Sequence, residues 1–157
     1  MNPWRPTLLT LLLSAASAAG AVVGSFDDIT FWVGSGTNRA ALVIDWNDGK
    51  NLSGSAAGES LAWGFRWNDG DAPTGMTMLK AVAAADPRLD LNIVVRNLGE
   101  TVFGLYYDLD GDGGTPTYDP ISELGSADDT ADHFAEGWRF NGYWTYFTGA
   151  SGQTVPT

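Results

Sequence analysis

The sequence predicts an α+β domain in which strands predominate, a mixed or antiparallel sheet crossed by one helix. Three observations predict it. Short runs rich in β-branched and aromatic residues recur with a period of two, one segment alone carries a capped helical pattern, and Gly, Asn and Asp punctuate the intervals. With 157 residues, 44% of them apolar and 12% aromatic, the chain has material for a single core.

Ile29 to Val33 and Arg39 to Trp46 read as strands, separated by Gly34-Ser35-Gly36-Thr37-Asn38, and together they suggest a hairpin. A Gly/Ser-rich loop from Gly49 to Gly58 follows. Ser60 to Trp67 then resumes the alternation, with Leu61, Trp63, Phe65 and Trp67 on one face. That face reads either as core or as a platform for a flat ligand.

Thr74 to Ala85 is the helix: Thr74 caps it, good helix formers fill it, and Asp86-Pro87 stops it. Met78, Leu79, Val82 and Ala83 form a narrow apolar stripe to lie on the sheet. Leu89 to Arg96 and Thr101 to Tyr107 form a hairpin around Asn97-Leu98-Gly99-Glu100, and Trp138 to Phe147 closes the chain as an aromatic strand pair. The tetrapeptide Trp-Asn-Asp-Gly occurs twice, at Trp46 to Gly49 and Trp67 to Gly70, each time where a strand gives way to a turn.

Residues 1–21 read as a signal peptide. Arg5 supplies the positive n-region, Thr7 to Ala19 are apolar but too short to span a bilayer, and Ala16-Ser17-Ala18 and Ala19-Gly20-Ala21 fit the cleavage rule. Residues 22–157 are then one β-rich exported domain, secreted or at the cell surface, with no membrane span after cleavage. Loss of Arg5 leaves seven basic against nineteen acidic residues, a formal charge of −12. Such a surface repels nucleic acid and anionic lipid and favours cations. No Cys is present, which removes disulfides, thiolate nucleophiles and cysteine zinc sites.

The sharpest chemical signal is Asp108-Leu109-Asp110-Gly111-Asp112-Gly113, the D-x-D-x-D-G opening of a calcium loop. Counting from Asp108, Gly114 falls at position seven, where a backbone carbonyl binds, and Asp119 at twelve, where a carboxylate is expected. The candidate ligands are thus Asp108, Asp110, Asp112, Gly114 and Asp119, without the helices that flank an EF-hand; the alternative is a solvated acidic turn. A second cluster, Asp128, Asp129, Asp132, His133 and Glu136, reads either as a metal or acid-base group or as a short helical turn with His133 and Phe134 half-buried. Nucleophile elbows, phosphate-cradling loops and dinucleotide fingerprints are absent.

The segments Val43 to Lys50, Leu61 to Trp67, Thr74 to Leu89, Tyr107 to Gly113 and His133 to Trp138 together resemble an uncharacterised family of exported bacterial proteins, many of them bearing a C-terminal PEP-type (PEP-CTERM) sorting signal. The resemblance covers nearly all of the mature chain, and it implies export. The chain ends at Val155-Pro156-Thr157 without that signal, from which either truncation or soluble release is expected. More distantly, the strand pair, the Thr-Gly-led helix and the segment Gly137 to Trp144 are similar to the small β-grasp-like domain of cobalamin carriers. That likeness implies a corrinoid-type ligand.

The leading expectation is a non-catalytic binding domain. A structural calcium ion orders the acidic loop, and Trp63, Trp67, Trp138, Tyr143 or Trp144 contacts a small-molecule ligand, glycan or corrinoid. The alternatives are an exported hydrolase with a carboxylate pair including Glu136, and a structural component of the cell surface.

Overall fold

The computed structural model describes residues 24–46, 48, 60–97, 99–119, 121–122, 124–136 and 144–149. The proposed leader, the Gly/Ser loop, Trp138 and Tyr143 lie outside the described residues. The fold is strand-dominated α+β, as the alternation predicts. A 3₁₀ turn (Phe26–Asp28) leads into β1 (Trp32–Gly34), β2 (Asn38–Asp45), β3 (Ser60–Trp67), α1 (Gly75–Ala85), β4 (Leu89–Arg96), β5 (Gly99–Tyr107), β6 (Thr117–Tyr118), β7 (Gly125–Ser126) and β8 (His133–Glu136).

Two three-stranded sheets share one core. In the first, the order is β1-β3-β2, so β3 is central; in the second it is β4-β5-β8. The expected β1–β2 hairpin does not form. β2 runs antiparallel to β3 with Leu42 opposite Trp63, whereas β1 pairs parallel to the far edge of β3, with Trp32 opposite Gly64. Gly64 explains the exchange: a Cβ there would overlap the Trp32 ring, so the missing side chain makes room for an indole on the second face of β3. Both faces of that strand are therefore covered, and Leu61 to Phe65 are all buried.

The helix follows its sequence signals. Thr74 Oγ1 accepts from the Thr77 amide at 3.1 Å, and Met78, Leu79 and Val82 turn inward. Asp86 closes the far end and does a second job, since its buried carboxylate accepts from Trp63 Nε1 at 2.8 Å and from the Arg88 amide at 3.1 Å. The core joins Ile44, Trp46, Leu61 and Trp63 of the first sheet to Leu79 and Val82 of the helix and Leu89, Leu105, Tyr107 and Leu109 of the second. Trp63 and Tyr107 meet edge to face across it, with centroids 5.8 Å apart.

β4 and β5 form the expected hairpin, with a register shift between Asn92 and Ile93. His133 to Glu136 is a strand rather than a helical turn, because it completes the open edge of β5, with Tyr107 opposite His133 and Tyr106 opposite Phe134. Of the predicted final strand pair, the described residues 144–149 carry no strand. Among the described residues no helix is long and apolar enough to cross a membrane.

Candidate metal centre

The antiparallel register of β5 and β8 builds the site. With Tyr107 opposite His133, the chain leaves β5 as Asp108 at the point where it enters β8 from Asp132. The two acidic stretches, separate in sequence, thereby emerge at one end of one sheet. Three sets of carboxylate oxygens lie within 4.8 Å of one another: Asp108, Asp110 and Asp132; Asp110, Asp112 and Asp129; and Asp112, Asp128 and Asp132. At that separation each like-charged pair repels by roughly 3–4 kcal/mol for an effective dielectric constant of about 20. The geometry is one that a metal ion fits.

The first stretch is a chain of side-chain-capped turns. Asp108 Oδ1 accepts from the Gly111 amide at 2.6 Å and Oδ2 from the Gly113 amide at 3.1 Å, while Asp110 and Asp112 accept from the amides of Asp112 and Gly114. Gly111 and Gly113 have φ of 78° and 88°, the left-handed conformation that only Gly adopts readily. Arg88 anchors the loop from below. Its Nε and a terminal nitrogen donate to the carbonyls of Asp108 and Leu109, each at 2.7 Å, and its guanidinium lies 4.6 Å from the Tyr107 ring centroid.

The second stretch supplies the buried part. Asp132 is fully buried, with Oδ1 accepting from the Leu109 amide at 2.7 Å and Oδ2 from the Tyr106 hydroxyl at 2.7 Å. The same hydroxyl lies 2.9 Å from Asp128 Oδ1. A phenol has one proton, so it donates to one carboxylate at a time. Burial holds the Asp132 carboxyl above its usual range, whereas the Tyr106 hydrogen bond holds Asp128 below it. Burial, reinforced by both carboxylates, pushes the Tyr106 hydroxyl well above the ordinary phenol range, so it remains a donor.

The sequence-predicted ligands divide. Asp108, Asp110 and Asp112 come together. Gly114 packs against the second stretch so closely that a Cβ would overlap the Asp128 carboxylate. Asp119 joins none of the carboxylate groups found among the described residues. The chain turns away after Gly114 into the β6–β7 hairpin, where Asp119 Oδ1 accepts from the amides of Ile121 and Ser122 at 2.7 and 3.2 Å. Those two amides hold the Asp119 carboxyl below its usual range, so its share of stability is present above the unfolded value and lost as pH falls through the lowered one.

The aromatic candidates divide too. Trp63 is fully buried and hydrogen-bonded to Asp86, so its indole belongs to the core. Trp144 is half-buried, edge to face against Trp46 at 6.1 Å, with its indole nitrogen enclosed and unpartnered among the described residues. Trp67 is half-buried and lines an open hollow.

His133 meets the end of β2. Its ring is fully buried, stacked on Trp46 at 5.0 Å with planes 2° apart, and Nδ1 lies 2.9 Å from Asp48. The Trp46 and Asp48 partners of His133 come from the end of β2, and Asp132 meets the Leu109 amide and the Tyr106 hydroxyl. Glu136 accepts from the Gly125 amide, tying β8 to the small hairpin. Sequence reasoning missed the roles of Tyr106, Arg88 and Asp48. A strand at 133–136, once recognised, would have signalled the meeting of Asp108 and Asp132.

No family model, curated protein or solved structure matches this chain.

Proposed function

We propose that this chain is a non-catalytic, exported binding domain of the PEP-CTERM-associated kind, and that a structural calcium ion fastens its acidic end. The observation that carries the metal reading is the convergence of Asp108, Asp110 and Asp112 with Asp128, Asp129 and Asp132 in three overlapping carboxylate groups, two of whose members, Asp128 and Asp132, share the Tyr106 hydroxyl. Calcium takes six to eight oxygen ligands in flexible geometry, which suits an all-carboxylate set better than the strict octahedron of magnesium. In this reading Asp132, delivered by β8, takes the part that spacing had given to Asp119.

The opposite shifts of Asp128 and Asp132 also fit an acid-base pair. Two facts count against a hydrolase: Asp132 is sealed from solvent and Glu136 is engaged by a backbone amide.

Calorimetric titration with calcium and thermal unfolding with and without chelator test the reading. Calcium at about a hundredfold excess over Kd stabilises by about 2.7 kcal/mol. Asp132→Asn removes that gain, whereas Asp119→Asn leaves it. Absence of heat and of any thermal shift at millimolar calcium overturns the metal reading.

A further inference from the structure

The hollow beside Trp67 lies between the end of β3 and the start of α1. It is open, about 430 Å³, within the roughly 300–1,000 Å³ of small-molecule sites. Its floor is aromatic. Phe65 and Trp67 point the same way from one strand, their rings 6.0 Å apart and 23° from parallel, with Phe65 buried and Trp67 partly open.

Its rim is polar and almost without positive charge: the Asn68 amide, the Asp71 carboxylate and the hydroxyls of Ser35 and Thr77. Arg66 also borders the space, but its guanidinium is laid over the Trp32 ring at 4.5 Å. A further aromatic ring stands by the helix start. Tyr146, 67% exposed, sits so close to Gly75 that a Cβ there would overlap it, which puts it one residue from Thr74 and beside the same helix start.

We propose that this hollow is a subsite for a neutral saccharide, a sugar ring laid on Trp67 with its hydroxyls bonded to Asn68, Asp71 and Thr77. The chemistry selects the class. A pyranose has an apolar face of C–H groups and an equator of hydroxyls, matching a flat ring within a collar of amide, carboxylate and hydroxyl groups. An anionic ligand meets Asp71 and a chain of formal charge −11, so phosphorylated or sulfated ligands are rejected. A whole corrinoid exceeds the hollow. The inference specifies the ligand of the binding domain proposed above and does not depend on the calcium ion.

The test follows the indole N–H signals of the ¹⁵N-labelled full chain during separate titrations with cello-, manno-, malto- and chito-oligosaccharides and with cyanocobalamin. The expected result is a saturable millimolar shift of the Trp67 signal with at least one neutral oligosaccharide. Trp67→Leu weakens that binding roughly tenfold or more, and Thr77→Val, which leaves the aromatic floor intact, weakens it less. Failure of every oligosaccharide to move the Trp67 signal overturns the inference, as does a shift with cyanocobalamin alone or one confined to other Trp signals. A calcium-induced thermal shift recorded on the same samples keeps the two proposals apart: saccharide silence in a calcium-responsive protein removes only the subsite, and saccharide binding without a calcium response removes only the metal.

Discussion

The chain writes Trp-Asn-Asp-Gly twice and folds the Trp and Asp of the two copies into opposite environments. Trp46, at the end of β2, is 5% exposed, stacked on His133 and met edge-on by Trp144, and its Asp48 reaches the His133 ring. Trp67, at the end of β3, is open on one side, and its Asp69 merely accepts from the exposed Asn38 amide at 2.7 Å. Local sequence is the same, and each Trp directly follows or ends a strand of the same sheet. What differs is cover: His133 of β8 and Trp144 lie against Trp46, whereas Trp67 lines an open hollow. A turn motif fixes a change of direction, and burial is decided by distant parts of the chain.

Truncating the two indoles should break the symmetry most. Trp46→Ala is expected to cost about 3–5 kcal/mol in urea unfolding, the range for deleting a buried Trp, and Trp67→Ala less than half of that. Comparable losses would mean that the two environments are not distinct. The next contrast lies in the carboxylates. A double-mutant cycle between Asp48 and His133 should give a coupling of about 1–3 kcal/mol, against at most about 0.5 kcal/mol between Asp69 and Asn38, because only the former bond is held against a buried ring. Gly70 has φ of 94° and nothing within 4 Å of a Cβ, so Gly70→Ala should cost about 1 kcal/mol from backbone conformation alone. The smallest effect is spectroscopic. If calcium fastens Asp132, adding chelator should move the Trp46 indole signal, one residue away through His133, and leave that of Trp67 in place.

Much of the fold was legible in the sequence. β3 begins and ends at the predicted residues, and the cap at Thr74, the stop at Asp86 and the β4–β5 hairpin follow local rules of capping, periodicity and turn chemistry. The failures involve pairing between distant segments. β1 lies beside β3 because Gly64 vacates a place for Trp32, a fit between residues far apart in the chain. His133 to Glu136 is too short to show a period, and it becomes a strand by occupying the free edge of β5.

The candidate site shows the same division. Asp108, Asp110 and Asp112 were readable because each caps a turn two to five residues ahead. Asp132, Asp128 and Tyr106 were not, since their meeting depends on strand register. Asp119 stands outside the carboxylate groups for a related reason: a twelve-residue count holds in an EF-hand because a helix follows, and here a hairpin follows.

The excursion between Asp112 and Asp128 departs from and returns to neighbouring strands, so sheet pairing pins its two ends whatever lies between them. Its outermost point, around Ile121 at 90% exposure, is stitched locally by Asp119 and far from the carboxylates in connectivity. Closure entropy grows only slowly with length, by about 0.6 kcal/mol for each doubling. That tip is accordingly a natural splice port, where an epitope tag or an entire foreign module could be lodged while the ends of β5 and β8 stay in step.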